Sequence, residues 1–371
     1  MSEIRVTSVV GENGGDPVGL TTGFTVGPLT GTTGIGATIS HQGHAQFAGV
    51  CTATSIVSDT PLSHRNALIN GEMLVSQRGV SETSVSSTGY KNAPDRWQFY
   101  AYPSGQSGVY TVSRQASAPN GFQRSYNVAC TTADTSLQAD SGVILRQTIE
   151  EQNLQYFRKG FADAKQMTLS FYAKSTKTGT YVCELYDMRN TRHISATYTV
   201  SDTNWNRYII TFPADTTGAF GNDNGASLWV RFWLAAGSNF TSGTARTAWA
   251  SGAPDSVLAA GQTAQVGDNV ADTWQLTGVQ LEVGSVATPF EHRSFDDELR
   301  RSQRYFVRFG GNGAYDPIGE GFQRETTQSF VQGKFPVRMR ANPTPTLNNS
   351  TSGPITTVSY THLTLPTKRI V

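Results

Sequence analysis

The stretch from Thr277 to Gly284 constrains the fold most. Val279, Leu281 and Val283 alternate with Gly278, Gln280 and Glu282. A period of two marks a half-buried strand, one face inward and one outward. Gly284 ends the run. Pro289 then removes a ladder donor, and Phe290 follows as an anchor. A strand that stops and then anchors itself closes a β domain, so Val279, Leu281 and Phe290 are expected to be buried.

The same alternation recurs upstream. Leu169, Phe171 and Ala173 alternate with Ser170, Tyr172 and Lys174. Val182, Glu184 and Tyr186 alternate with Tyr181, Cys183 and Leu185. Tyr208, Ile210 and Phe212 share one side of a run that starts at Trp205, and Leu228, Val230, Phe232 and Leu234 alternate with Trp229, Arg231 and Trp233. Gly and Asp/Asn clusters such as Gly218 to Gly225 separate these runs. Many short strands at this spacing predict an all-β, two-sheet sandwich. Residues 143–157 are expected to carry a helical turn, with Glu150 and Glu151 on a solvated face. A helix is predicted over Ser294–Arg304: Ser294 is the N-cap, Asp296, Asp297 and Glu298 occupy the first turn, and Arg300, Arg301 and Arg304 lie near its end.

Charge narrows the function classes. Charged residues make up 15% of the chain and the net charge is +1, against about 25% charged residues in typical soluble domains. Phosphate contact needs clustered Lys and Arg, and no basic cluster stands out beyond Arg300-Arg301, so no nucleic-acid partner is expected. No apolar run is long enough for membrane insertion, and no signal peptide is recognisable, so synthesis in a cytoplasm is expected. Cys51, Cys130 and Cys183 are odd in number and widely spaced, which suggests inert thiols rather than a disulfide or zinc framework.

Several motifs resemble a known family. The run from Gly278 to Glu291, with Gly278-Val279-Gln280-Leu281-Glu282, Gly284 and Ala287-Thr288-Pro289-Phe290-Glu291, is similar to the last strand of the jelly-roll, carbohydrate-binding-module-like domains of bacteriophage tail fibre and other virion appendage proteins. Arg65-Asn66-Ala67-Leu68-Ile69-Asn70-Gly71-Glu72-Met73 followed by Gln77-Arg78-Gly79 resembles the first strand of that domain, and Asp95-Arg96-Trp97 and Lys165–Ser175 fall in their expected places. The resemblance covers residues 64–299. It implies a jelly-roll β-sandwich, a structural virion protein that recognises a host surface glycan, other phage tail proteins as partners, and location in the virion after synthesis in the host bacterium. An appendage-borne polysaccharide-degrading enzyme and a capsid-decorating protein without glycan binding are the alternatives.

The flanking segments differ from this domain. Residues 1–63 hold short β-prone runs, Ile4–Thr7 and Gly23–Val26 among them, and only two aromatic residues, Phe24 and Phe47. One copy cannot build a core from so little. Ala37–Ser40 leading to Phe47–Ser55 resembles the shaft-like repeats of phage tail fibres, which implies a homotrimer sharing one axis; a flexible Gly-rich leader is the other reading. Residues 300–357 are expected to form a linking helix and an incomplete small β module, with a strand and turn at Phe335–Thr344. Residues 358–371 back-translate to a sequence similar to a transposon-derived adapter, so they are expected to be translated sequencing adapter on a truncated metagenomic chain.

The chemistry expected is binding. The chain has no Gly-x-Ser-x-Gly, His-Glu-x-x-His or phosphate-loop motif, and Gly31–Gly36 lacks a strand-turn-helix context. His41 and His44 could face a metal on a trimer axis, or lie in a polar surface turn. Trp229 and Trp233 share a face with Arg231, opposite a wholly apolar set that must claim the core. A bare guanidinium is costly in a dry core, so this face is expected to be accessible. Neighbouring strands would add either Tyr172 and Lys174, or Glu184 and Tyr186. Aromatic rings flanked by hydrogen-bonding groups suit sugar rings, which makes Trp229, Arg231, Trp233 and Tyr172 the candidate glycan-binding residues; packing under a loop or at a subunit contact is the competing reading. Jelly rolls of this family often hold a structural calcium between first and last strands, where Glu72 and Glu282 are expected here. No other cofactor is implied, and two carboxylates alone fall short of the six to eight oxygens that Ca²⁺ needs.

Overall fold

The computed structural model describes residues 24–26, 37–39, 45–47, 63–102, 108–252, 254–310, 320–325 and 328–344. Ile4–Thr7, Gly31–Gly36, His41, His44, Cys51 and residues 358–371 lie outside the described residues. The chain forms two units, Met1–Ser58 and Asp59–Val371. In the first, Phe24–Val26 (β1), Ala37–Ile39 (β2) and Ala45–Phe47 (β3) form an antiparallel sheet in the order β1-β2-β3.

The second unit is an all-β jelly-roll sandwich. In chain order its strands are Ser81–Val85 (β4), Gly89–Tyr90 (β5), Gln98–Tyr102 (β6), Val109–Gln115 (β7), Ser125–Thr132 (β8), Gly142–Glu150 (β9), Met167–Ser175 (β10), Gly179–Asp187 (β11), Arg192–Val200 (β12), Asn206–Phe212 (β13), Ala226–Ala236 (β14), Ala250–Ser251 (β15) and Thr273–Val283 (β16). The smaller sheet runs β13-β10-β16-β8-β7-β4 and the larger β15-β12-β11-β14-β9-β6-β5. Every pairing in both is antiparallel. Alternation explains the core between them. Leu169, Phe171 and Ala173 from the smaller sheet meet Tyr181, Cys183, Leu185, Leu228, Val230 and Phe232 from the larger, all buried.

The closing strand β16 departs from strict alternation once. Trp274 and Leu276 face inward, and so do Val279, Leu281 and Val283, although the two sets differ in parity. Opposite Ser170 and Tyr172 stand Gln280 and Thr277, one residue too many, so β16 carries a bulge. Gly278 supplies it with φ +60. A Cβ there would also stand 2.7 Å from the Phe122 ring and 3.0 Å from Tyr172, so the position needs glycine for both backbone and space.

The segment read as a first strand is not one. Residues 63–80 run as turns. Asn70 and Met73 take left-handed backbone conformations, with φ 58 and 62. Asn66 and Asn70 explain the departure, because their side chains replace the ladder. Asn66 donates from Nδ2 to the Val279 carbonyl and accepts from the Leu281 amide, at 2.9 and 3.1 Å. Asn70 accepts from the Val75 amide and donates to the Val75 and Asp95 carbonyls, each at 2.9 Å. Glu291 accepts from the amides of Arg65 and Asn66, both at 3.1 Å. Arg293 pairs with Glu291 and Glu298 at 2.8 and 2.9 Å. The opening and closing motifs therefore form one polar clasp, and removing either end strands buried partners of the other.

Ser294 caps the helix Phe295–Gln303 (α2) as expected, accepting from the Asp297 amide. Residues 143–150 form strand β9, and only 151–153 and 155–157 turn as short 3₁₀ segments. Glu150 and Glu151 are buried rather than solvated. Glu150 is bound by Arg304 at 2.8 Å and Glu151 by Arg189 at 2.8 Å, so these are structural ion pairs. Burial opposes ionisation of Glu150, but Arg304, Tyr305 and Gln152 more than offset it and hold the carboxyl below its usual range. Beyond α2, Glu320–Glu325 (β17) and Gln328–Gln332 (β18) form a hairpin. The expected strand at Phe335–Arg340 is irregular instead: the Arg340 amide donates to the Arg304 carbonyl, docking the segment on the helix end. Among the described residues, no helix is long and apolar enough to cross a membrane.

Candidate functional site

The outward face of the larger sheet is built by register. β11 pairs with β14, β14 with β9, and β9 with β6. One row across the strands reads His193, Tyr186, Trp229, Thr148. The next reads Ser195, Glu184, Arg231, Arg146, Gln98, and ends on Tyr90. The third reads Thr197, Val182, Trp233, Ile144, Tyr100.

Side chains in these rows stack on one another. The Tyr186 and Trp229 rings lie 5.2 Å apart and 24° from parallel. The Arg231 guanidinium sits 4.1 Å from the Trp229 centroid, and that of Arg146 4.4 Å from it and 4.6 Å from Tyr100. Arg146 Nε donates to Gln98 Oε1 at 2.7 Å, which fixes its plane. Trp229, Tyr186, Arg146, Gln98 and Tyr100 are half-buried, while Tyr90 and Tyr102 are 41% and 45% exposed. The result is a ladder of rings and guanidinium planes, partly open to solvent.

Glu184 organises the floor. It is fully buried and receives Arg231 Nη1 at 3.0 and 3.1 Å and the Trp233 indole N–H at 3.0 Å. Arg231, 12% exposed, is thus paired rather than bare. His193 lies 3.9 Å from the same carboxylate, also fully buried, and among the described residues neither of its ring nitrogens has a hydrogen-bond partner. Burial, then the nearby Arg246 and Arg231, pull its pKa down to about 4, so it is neutral near pH 7.

The structure separates the predicted glycan residues. Trp229 and Arg231 stand together on this face. Trp233 starts from the same strand face but is only 2% exposed, because Ser238–Thr241 (α1) folds over it and brings Phe240 to 5.1 Å; Ile144, Val182 and Leu258 complete that satellite cluster. Tyr172 lies on β10 of the other sheet, against Phe122 at 5.2 Å, and does not reach this ladder. Of the two neighbour pairs expected, register selects Glu184 and Tyr186. Arg146, Gln98 and Tyr100 were missed, yet the alternation of Ile144, Arg146 and Thr148 with Val143, Leu145, Gln147 and Ile149 carries the signal for Arg146, and that of Gln98 and Tyr100 with Phe99 and Ala101 the signal for the other two.

The outward face of the smaller sheet is covered in part by the return loop, while Arg207, Ile209 and Thr211 of β13 stay exposed. Phe290, expected in the core, is only half-buried. The chain after Pro289 folds back outside the sheet, and Phe290 and His292 pack on Phe122 at 5.2 and 5.3 Å. Glu282 is saturated by its own return loop, receiving the Thr288 amide, the Thr288 hydroxyl and Gln280 Nε2 at 2.9, 2.6 and 2.8 Å. Glu72 lies in the turn before Met73, and its carboxylate faces His292 Nδ1. Burial pushes the Glu72 carboxyl up, with His292 only partly opposing. These two side chains do not fit a shared Ca²⁺, which needs six to eight free oxygens. Among the described residues, no group of three or more His, Cys, Asp or Glu could hold a metal ion. Cys130 and Cys183 are buried free thiols, both pushed up by burial.

Cavities among the described residues flank the sandwich. One, about 340 Å³, opens at the rim beside Tyr110, Asp134, Gln265 and Asp268. Another, about 260 Å³, adjoins the ladder and is lined by Tyr90, Arg96, Thr148, Glu150, Tyr305 and Arg340 among others.

No protein-family model matches this chain, and no curated protein matches it. Solved structures with some likeness include TmCBM61 in complex with β-1,4-galactotriose, at 10% identity, 59% of this chain, 99% of that chain and TM-score 0.30. A family 11 carbohydrate-binding module from Clostridium thermocellum in complex with a mixed-linked tetrasaccharide shows 13% identity, 58% and 99% coverage and TM-score 0.27. An apo-form cyclase from Fischerella sp. shows 12% identity, 62% and 97% coverage and TM-score 0.31. At such scores none of these likenesses carries functional weight.

Proposed function

We propose that this protein binds glycans on the outward face of its larger sheet, as a subunit of a phage tail fibre or related virion appendage. One observation carries the binding reading: Tyr186, Trp229, Arg146 and Tyr100 form a half-exposed ladder with Gln98 and Thr148 beside it. Sugar C–H surfaces suit aromatic rings, and hydroxyls suit guanidinium, amide and hydroxyl groups. Because Trp229 already stacks on Tyr186 and two guanidinium groups, a sugar meets its outer edge together with the rings of Tyr90 and Tyr102. Trp229 and Arg231 remain binding residues in this reading, while Trp233 supports the floor and Tyr172 takes no part.

The appendage reading rests on the motifs that run from Arg65 to Gly79 and from Gly278 to Glu291. A homotrimer formed through the first unit would add avidity to a site that is weak alone, on the order of millimolar or about −4 kcal/mol. The carboxylates of the binding face, Glu184 and Glu150, are both held by arginines, which favours binding over hydrolysis. The test is a glycan array probed with the full chain and with Trp229→Ala. Binding that Trp229→Ala abolishes at unchanged melting temperature supports the site. New reducing ends released from a bound glycan would instead make the protein an enzyme. Labelling on intact particles separates a tail from a capsid location, and sedimentation of the full chain tests the trimer.

A further inference from the structure

We infer that the glycan held on this face is acidic, and that Arg146 receives its carboxylate. This rests on the glycan-binding reading above and names its ligand class.

The reason is an unmatched charge. The other arginine of these rows has a carboxylate, Arg231 pairing with Glu184 at 3.0 Å, and so does Arg304 of the helix end, pairing with Glu150 at 2.8 Å. Arg146 has none within ion-pair distance among the described residues, and its one hydrogen bond is Nε to the neutral Gln98 amide. It lies beside a second cation, Arg231, in the adjacent register position. Burial first, and Arg231 second, lower its proton affinity, with no carboxylate offsetting them. A half-buried, uncompensated guanidinium is costly, and a ligand anion would relieve that cost.

Geometry fits the same conclusion. Arg146 is held between Trp229 and Tyr100 at 4.4 and 4.6 Å, so its plane is fixed before a ligand arrives. With Nε committed to Gln98, its Nη groups are the donors left to make a two-pronged contact with a carboxylate. In the adjoining cavity, Arg96 is likewise without a carboxylate among the described ion pairs; it stacks on Tyr305 at 3.3 Å and its Nε has no partner. The binding face and its neighbouring cavity thus share an excess of positive charge within a chain of net charge +1.

The experiment uses the full chain on an array of neutral and carboxylate-bearing glycans, with polygalacturonate and colominic acid each printed beside its carboxyl-reduced form. Binding confined to acidic glycans, lost on carboxyl reduction and weakened at least about tenfold by Arg146→Gln, is the expected result for one charged hydrogen-bonded contact. Arg146→Lys, which keeps charge without the fork, should fall between. If Arg146→Gln unfolds, the reduced-glycan comparison on the wild-type chain still decides. Equal binding of a reduced form, or unchanged binding by a folded Arg146→Gln, overturns the acidic assignment and leaves glycan binding standing. An array with no bound glycan of either class overturns both.

Discussion

On the smaller sheet, the chain's own return packs against the outward residues: half-buried Tyr172 meets Phe122, on which Phe290 and His292 rest, and Thr288 saturates Glu282. On the larger sheet, the outward residues Tyr186, Trp229, Arg146 and Tyr100 stay half-exposed, and only the Trp233 end is roofed, by α1. Both faces start from strands with the same alternation, but the outward set of the smaller sheet carries Tyr172 where that of the larger carries Tyr100, Tyr186, Trp229 and Trp233. What separates them is both this residue content and which loop comes back over which sheet. A carboxylate saturated by internal donors, as Glu282 is, has no hydrogen bonds left to offer, whereas the stacked Arg146, bonded through Nε alone, does.

That contrast can be broken within one strand. Trp229 and Trp233 occupy the same face of β14, four residues apart. Trp233→Ala should cost about 3–5 kcal/mol, because it empties a buried site and removes one buried donor to the Glu184 carboxylate. Trp229→Ala should cost less, about 1 kcal/mol, since the ring is only partly buried and leaves no enclosed cavity. Denaturant unfolding of both variants checks this, and equal losses would mean that the ladder is as sealed as the roofed end.

A second effect comes from His193 beneath the open face. Its folded pKa, about 4, lies below the ordinary value of 6.5. Between those values the unfolded chain binds a proton that the folded chain refuses, so stability is full above pH 6.5 and falls as pH drops toward 4. The loss should approach about 3 kcal/mol at about 1.4 kcal/mol per pH unit. His193→Gln should flatten that slope; an unchanged slope would remove His193 from the account.

The face under the return loop has its own test. Gly278→Ala forces a side chain into a φ of +60 and against Phe122 and Tyr172. It should cost about 1–3 kcal/mol, read by thermal unfolding, with glycan binding on the opposite sheet unaffected. Loss of binding without loss of stability would place the site on the wrong sheet.

Much of this was legible in the residues. Alternation located β10, β11, β13, β14 and β16 and sorted each strand into an inner and an outer set, because successive side chains of a strand point to opposite faces. The order Ser294, then acids, then arginines placed α2, because capping and the helix dipole act within one turn. It also put Trp229 and Arg231 outside the core. Other features were decided only in three dimensions. Arg65–Met73 reads as a strand, yet Asn66 and Asn70 spend their side chains on distant backbone and turn it into a clasp. Glu150 and Glu151 read as solvated, yet arginines 154 and 38 residues away bury them. Tyr172 and Tyr186 read alike as neighbours of Trp229, but β14 pairs with β11 and not with β10. Period two fixes which residues share a face of one strand; which strands lie side by side, and which loop covers them, depends on contacts between residues far apart in the chain.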